Sequence, residues 1–253
     1  MSAVKWSFWL CLAGIVSVCP AADKPRGIAV VELFTSEGCS SCPPADEVFA
    51  DLARRSAAGE PIYCIGFHVD YWDKHGWKDE FSDNAYTQRQ LGYMHKLKVD
   101  DVYTPQTIIN GTRQFVGSRK KEVNAAVEAA LQTPAPNRLS LTHELDPKTR
   151  TLKLKYAATA DTRSLFLNLA VTQKQDENAV TEGENKDRTL RHAAIVRCFQ
   201  VVSETDEVSG GTWEVTLPED LPASDATAIA YLQHRTTFRI IAAAAVPLTK
   251  AKQ

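Results

Sequence analysis

The chain contains 253 residues, 44% of them hydrophobic, and its 29 basic and 31 acidic residues give a formal net charge of −2. This length is enough for two ordinary domains, and the hydrophobic fraction is typical of a globular protein. A charge so close to zero offers no electrostatic footprint for nucleic acid or for an anionic membrane surface, so neither is expected as a partner.

The first 22 residues are predicted to be a cleaved secretory signal peptide. Lys5 supplies a positive charge, and the apolar stretch at 6–18 is too short to span a bilayer, which takes about 20 residues. Polar residues follow Ala22, close to the expected cleavage site. We therefore expect a periplasmic or secreted protein with no stable membrane insertion after cleavage. A membrane-anchoring helix and a lipid-bearing Cys19 are the alternatives.

Residues 26–132 are predicted to form an α/β domain. Apolar runs without clean alternation indicate buried strands, and apolar residues that recur three or four positions apart indicate amphipathic helices. The expected elements are a strand at 28–34, a helix at 45–55, a strand at 61–69, a loop at 70–81, a helix from Ser82-Asp83 to about 97, strands at 106–109 and 113–116 around the hairpin signal Asn110-Gly111, and a helix capped by Ser118 that ends near 131.

A short linker with two prolines, at 133–137, precedes a region with a different pattern. Alternation with a period of two predicts about seven strands there, in the segments 139–141, 152–156, 165–171, 194–202, 213–217, 227–232 and 240–246. This pattern favours an antiparallel, immunoglobulin-like sandwich domain over residues 138–250. The dense charge run at 182–191 is expected to be a solvated loop.

Cys39 and Cys42 form a CxxC pair at the junction between the first strand and the first helix. Unpaired N–H groups at a helix N-terminus stabilise a thiolate, which is the form that attacks disulfides. The pair therefore predicts a redox dithiol that solvent can reach at the tip of the helix. A structural disulfide and a zinc site are the alternatives.

Other side chains are expected at the same edge of the sheet. Sites in open α/β sheets lie beyond the carboxyl ends of the strands, so His68, Asp70 and Trp72 should lie near the cysteines. Pro105 precedes a strand and is a candidate for a cis peptide bond with Thr104.

Three further residue sets leave alternatives open. Glu32 lies inside the first strand, where a carboxylate is costly unless it has a function or a basic partner. His68 and the two thiolates would suit Cu(I) or zinc, but we interpret His68 as packed in the sheet and expect no metal. Cys64 and Cys198 lie in predicted strands, and the sequence does not show whether they pair.

Residues 31–46 (VELFTSEGCSSCPPAD) resemble the secreted bacterial family known as domain of unknown function 1223. The segments that also fit this family are Phe67–Asp73, Tyr103–Gln106 and Gly183-Glu184-Asn185 with Arg188, Leu190 and His192. Residues 28–132 also resemble the thioredoxin fold. The resemblance implies an α/β thioredoxin-like domain followed by an all-β, immunoglobulin-like sandwich.

The thioredoxin resemblance also implies roles. Cys39 would attack a substrate sulfur, Cys42 would resolve the mixed disulfide, and Pro105 with Thr104 would face them. Glu32 falls one residue away from the buried acid that thioredoxins use to accept a proton.

We therefore expect a thiol–disulfide oxidoreductase that acts on protein thiols or disulfides outside the cytoplasm without an organic cofactor. His68, Asp70 and the loop of Trp72 would frame the substrate. The alternative is a non-catalytic metal- or peptide-binding module on the same scaffold.

Overall fold

The computed structural model describes residues 27–135, 137–202 and 208–248, so the signal peptide predicted over 1–22 lies outside the described residues. Helices α1 (Pro43–Ala57), α2 (Asn84–Leu97) and α3 (Lys120–Gln132) lie within the described residues. The strands are β1 (Ala29–Thr35), β2 (Ile62–Val69), β3 (Ser82–Asp83), β4 (Gln106–Ile109), β5 (Arg113–Val116), β6 (Leu139–Leu145), β7 (Thr151–Ala158), β8 (Leu165–Val180), β9 (Arg188–Val202), β10 (Gly210–Thr216), β11 (Ala226–His234) and β12 (Ile240–Pro247). Short 3-10 turns occupy Asp70–His75, Thr162–Ser164 and Ala223–Asp225.

Local sequence signals, such as capping and turn residues, correctly predict most of these elements. The side chain of Asp83 accepts a hydrogen bond from the backbone N–H of Ala85 and caps α2, as predicted. The strands around Asn110-Gly111 form at the predicted positions. The predicted cap at Ser118 is wrong, because Arg119 precedes α3 and makes no side-chain capping bond.

The predicted fold class, a thioredoxin-like α/β domain followed by a separate all-β sandwich, is wrong. One mixed sheet runs through both halves of the chain in the order β12-β11-β8-β9-β2-β1-β4-β5, with β3 attached to β2. The two halves meet where β9 lies parallel to β2, with Ile195 opposite Gly66. A side chain on Gly66 would place its Cβ 3.2 Å from the backbone oxygens of Ala193 and Ala194, so glycine permits this close approach.

Alternation along the strands divides the core between the two faces of this sheet. Val31 and Leu33 of β1 pack with α1 and α3, whereas Val30 and Phe34 pack with residues of α2 and β11. A second, three-stranded sheet (β10-β7-β6) buries its apolar face against β8, β11 and β12. The second half of the chain therefore extends the sheet of the first half and is not a sandwich of its own.

The hairpin of β8 and β9 positions the candidate site. Its strands pair from Leu167 with Val202 to Val180 with Arg188, and the turn at its tip comprises residues 181–187. Ala194 of β9 packs in the same core as α1, so the hairpin brings its tip to the N-terminus of that helix. We call residues 181–187 the cover loop.

Candidate functional site

Cys39 and Cys42 form a disulfide at the N-terminus of α1, with their Cα atoms 5.4 Å apart. Cys42 is the N-cap residue, and its carbonyl accepts hydrogen bonds from the N–H groups of Ala45 and Asp46 at 2.8 and 3.1 Å. Prolines fill the first two helical positions, where a missing N–H costs nothing. The chain therefore places the sulfur pair at the positive end of the helix dipole, as the CxxC position predicts.

The predicted solvent exposure of the sulfurs is wrong. Both cysteines have a relative exposure of 0%, although Ser40 and Ser41 between them are exposed. Two residues of the cover loop that contact the CxxC segment, Glu184 and Asn185, lie more than 140 positions away in the sequence, so no local pattern predicts their contribution.

Polar contacts hold the cover loop against the CxxC segment. The carboxylate of Glu184 accepts hydrogen bonds from the backbone N–H and the hydroxyl of Ser40, at 3.1 and 2.7 Å. The side-chain amide of Asn185 donates to the backbone carbonyls of Glu37 and Cys39, at 2.8 and 3.0 Å. The hydrogen bonds from Ser40 also lower the pKa of Glu184. The cover is therefore attached by hydrogen bonds to the CxxC segment itself.

Thr104, Pro105 and Trp72 lie beside the disulfide. The Ser41 hydroxyl donates to the Thr104 carbonyl at 3.4 Å, and the Trp72 indole N–H donates to the Thr104 hydroxyl at 2.7 Å. The Thr104–Pro105 peptide bond is cis. A Cβ on Gly38 would lie 3.1 Å from the Cβ of Trp72, so the tryptophan packs directly against the residue before Cys39. The structure therefore brings these three predicted site residues together with the cysteines.

Asp70 does not face the disulfide. Its carboxylate accepts hydrogen bonds from the Thr87 hydroxyl at 2.5 Å and from the Asn84 side chain at 3.2 Å. Both partners belong to α2, so Asp70 fixes the turn after β2 to that helix.

Glu32 lies on the sheet face opposite α1, away from the cysteines. Its carboxylate is fully buried and forms an ion pair with Arg89, with a closest distance of 2.6 Å. Tyr93 and Tyr231 also donate hydrogen bonds to it. This carboxylate therefore has the basic partner that the sequence left open.

Behind the disulfide lies a group of buried acidic and imidazole side chains, which we call the acid–imidazole cluster. Its members are Glu37, Asp46, His68, Asp79 and His192, and none is more than 6% exposed. His68 pairs with Asp79 at 2.7 Å, and the His68 and His192 rings are 4.7 Å apart. His68 therefore belongs to this buried cluster, as its interpretation as a packed histidine implies.

Neighbouring groups also fix the carboxylates of the cluster. Asp79 accepts from the backbone N–H of Glu37 at 2.9 Å, and Asp46 accepts from the Thr35 hydroxyl at 3.0 Å. Glu37 accepts from the Trp77 indole at 2.7 Å and from the Asn178 side chain at 3.1 and 3.2 Å. Elements from both halves of the chain build the cluster.

Burial and charge shift the protonation of three cluster members in different directions. Burial raises the pKa of Asp46 despite the nearby imidazoles. Burial alone raises the pKa of Asp79 too, but its pairing with His68 outweighs this effect and lowers it. Burial lowers the pKa of His192, yet the surrounding carboxylates of Glu37, Asp46 and Asp79 raise it more. Asp46 and His192 therefore bind a proton more tightly than they would in water, whereas Asp79 binds one less tightly.

No group of three or more histidine, cysteine or acidic side chains within the described ranges is arranged to hold a metal ion. Cys64 and Cys198 are both free thiols, the first buried and the second partly buried. The Cys39–Cys42 pair is thus the redox-capable feature of the described site, and the two remaining thiols do not link the halves of the chain.

Sequence reasoning did not assign roles to Glu37, Asp46 or Asp79. One local signal was available for Asp46, since residues four apart lie on the same helical face and Asp46 follows Cys42 by four. For His192, the available signal was the motif that begins at Gly183. The place of the His192 side chain in the cluster, however, depends on the long-range pairing of β8 and β9.

Comparisons with known proteins support the family and the fold. The family described as protein of unknown function (DUF1223) matches residues 30–233. Among solved structures, protein AGR_C_4864 from Agrobacterium tumefaciens is 23% identical with a TM-score of 0.66, over 90% of this chain and 97% of that chain. HBP35 of Porphyromonas gingivalis is 16% identical with a TM-score of 0.59, over 89% of this chain and 76% of that one. None of the curated proteins compared matches significantly.

Among the helices in the described part of the chain, none has the length and apolarity needed to cross a membrane.

Proposed function

The chain belongs to the DUF1223 family, and on that premise we propose that it is a thiol–disulfide oxidoreductase whose Cys39–Cys42 pair exchanges electrons with protein thiols or disulfides. The observation that carries this proposal is the disulfide at the N-terminus of α1 under a loop held by hydrogen bonds. A helix N-terminus stabilises the thiolate that exchange requires.

The bonds that form and break in the exchange are sulfur–sulfur bonds, and no organic cofactor takes part. In the reduced protein, the Cys39 thiolate attacks one sulfur of a substrate disulfide, and the other substrate sulfur leaves with the electron pair. Cys42 then attacks the Cys39 sulfur of this mixed disulfide and releases the second substrate thiol. The protein is left oxidised and the substrate reduced, and the reverse sequence oxidises a substrate dithiol.

The cover loop gives this activity a gate. Both cysteines are fully buried, and residues 181–187 bind the segment that carries them, so we propose that a substrate sulfur reaches the disulfide after these residues move away. Loss of the two hydrogen bonds from Asn185, each with a net value of about 0.5–1.5 kcal/mol, would raise the open fraction roughly 5- to 150-fold. Trp72 and Thr104 would then border the exposed sulfurs and contact the substrate chain.

The test of function is turnover in two protein assays, reduction of insulin by dithiothreitol and oxidative refolding of reduced ribonuclease. We expect activity in the parent and its loss in Cys39→Ser. The matched control is Cys198→Ser, which removes a partly buried thiol outside the site and should retain full activity. Equal rates for the parent and Cys39→Ser would contradict the proposal and leave a structural disulfide.

The gate is tested by the rate at which dithiothreitol reduces the oxidised protein, followed by quenched alkylation and mass spectrometry. Glu184→Gln weakens the contacts with Ser40 and should accelerate reduction, whereas Glu182→Gln makes the same change at an exposed site in the same loop and should have no effect. Equal acceleration by both variants would show that charge, and not the contact with Ser40, governs access.

This proposal includes export to the periplasm or beyond, where the disulfide would persist. N-terminal sequencing of the protein recovered from the periplasm or medium tests it. We expect a new N-terminus close to Asp23. Recovery of the intact chain in the cytoplasm alone would contradict it.

A further inference from the structure

Exchange between sulfurs does not by itself use the acid–imidazole cluster. Five buried titratable groups are costly to maintain, and such clusters concentrate at sites that move protons. Their position next to a buried dithiol suggests that they take part in its chemistry.

Asp46 and Glu37 connect the cluster to the disulfide. Asp46 lies one helical turn after Cys42, on the same face of α1, and its N–H donates to the Cys42 carbonyl. Glu37 lies two residues before Cys39, and the same Asn185 amide binds the backbone carbonyls of both. The carboxylates therefore flank the CxxC segment on its buried side.

His192 differs from the other members of the cluster because neither of its ring nitrogens makes a hydrogen bond. Its Nε2 lies 3.3 Å from Glu37 and its Nδ1 lies 3.8 Å from Asp46, but neither nitrogen has a partner in hydrogen-bond geometry. His68, by contrast, is bound to Asp79 at 2.7 Å. An imidazole between two carboxylates, with both nitrogens uncommitted, is suited to pass a proton from one side to the other.

We propose, on the basis of the exchange activity above, that His192 is a positioning residue that relays the proton taken up when the buried disulfide is reduced. As the S–S bond breaks under attack by a substrate thiolate on Cys39, its electron pair leaves on the Cys42 sulfur. The Asp46 carboxyl gives its proton to that sulfur, and the His192 imidazolium restores the proton on Asp46. Neutral His192 then recovers a proton released by the substrate thiol. Oxidation runs the same steps backwards.

The charges around His192 explain why such a relay is needed. Glu37 from the loop after β1, Asp46 from α1 and Asp79 from the loop before β3 all place negative charge near it, and Asp176 is its cross-strand neighbour on β8. The second imidazole, His68 of β2, also faces it. A thiolate added to these buried carboxylates would be strongly disfavoured unless a proton arrived with the electrons. Burial raises the pKa of Asp46 and the surrounding carboxylates raise the pKa of His192, so both groups bind a proton more tightly than they would in water.

The direct test needs no variant of the site. Histidine resonances of the parent protein are titrated by NMR in the oxidised and the reduced state, with His192→Gln used only to assign the signal. We expect the titration midpoint of His192 to differ between the two states, because a proton linked to the redox step must be bound with different affinity in each. The same midpoint in both states would overturn the relay.

Kinetics give a second readout. His192→Gln should slow disulfide exchange about 10²-fold at neutral pH and change the shape of its pH profile, whereas His95→Gln, at an exposed position on α2, should alter neither. An active His192→Gln variant with the parent's rate and pH profile would refute this inference and leave the proposed function intact. Failure of the parent to exchange disulfides would instead refute the proposed function.

Discussion

Glu32 offers a sharp test of the difference between a catalytic and a structural carboxylate. The substitution Glu32→Gln removes one charge from a pair in which the carboxylate is 0% and the Arg89 side chain 10% exposed. Breaking a buried ion pair on one side costs about 3–5 kcal/mol, because the remaining charge stays buried without its partner. We therefore expect a large loss of stability.

Arg89 has other partners, which set the size of this loss. Its guanidinium also donates to Asn168 at 3.1 Å and to Gln233 at 3.3 Å. Four aromatic rings, those of Phe67, Tyr93, Phe199 and Tyr231, have centroids 5.1–5.6 Å from its Cζ. These contacts remain in the variant, so we place the cost at the lower end, about 3 kcal/mol.

Urea unfolding of the oxidised protein measures the effect, with Glu128→Gln as the matched control. Glu128 also pairs with an arginine, Arg55, but its side chain is 55% exposed, so its loss should cost less than about 1 kcal/mol. The disulfide-exchange rate of folded Glu32→Gln should equal that of the parent. Unchanged stability together with lost exchange would refute this reasoning and restore Glu32 as a catalytic acid.

Three further predictions concern the buried groups. Cys64 is buried, and burial raises its pKa. Iodoacetamide should therefore leave this thiol unlabelled in the native protein at pH 8 and label it after unfolding. Labelling of the native protein at the rate of a free cysteine would contradict the burial of Cys64. The folded state raises the pKa of His192 above the ordinary 6.5, so its contribution to stability is fully present below pH 6.5 and is lost as the pH rises through the folded value. The free energy of unfolding should therefore fall with pH in that window in the parent but not in His192→Gln, and equal slopes in urea titrations would oppose this. The carboxylate of Asp79 binds both the His68 ring and the backbone N–H of Glu37, and Asp79→Asn weakens both contacts. This substitution should lower the free energy of unfolding in urea by about 2–3 kcal/mol. A decrease below about 0.5 kcal/mol would contradict the structural role of that carboxylate.

Most individual elements follow from local chemistry in the sequence. Asp83 identifies the start of α2, and Asn110-Gly111 identifies the hairpin of β4 and β5, because each signal acts within a few residues. The CxxC pair likewise identifies its own position at a strand–helix junction.

The fold class depends on pairing that no local pattern contains. Alternation gave the strands of the second half but not the edge to which they attach, and the junction of β9 with β2 is seen in the register of one residue pair, Gly66 and Ile195. The run at 182–191 looks solvated because most of its residues are charged. Its single uncharged amide, Asn185, is nevertheless fully buried against the CxxC segment.

The sequence predicts only part of the site, because only some of its residues lie at positions that the order of elements implies. Trp72, Thr104 and Pro105 come to the cysteines through the ends of neighbouring strands, which the order of elements implies. Glu32 and Arg89 are 57 positions apart, and the β8–β9 hairpin brings His192 next to Glu37 and Asp46. Long-range contacts therefore decide which buried acid lies near the CxxC segment and which pairs with Arg89 in the core.

The reduction potential of the Cys39–Cys42 pair tests the central claim most directly. It is measured by equilibrating the folded protein with glutathione or dithiothreitol buffers and quantifying the alkylated dithiol by mass spectrometry. An exchange-active pair should have a potential between about −270 and −120 mV, the range of dithiol oxidoreductases. A potential below about −300 mV, typical of structural disulfides, would contradict the account.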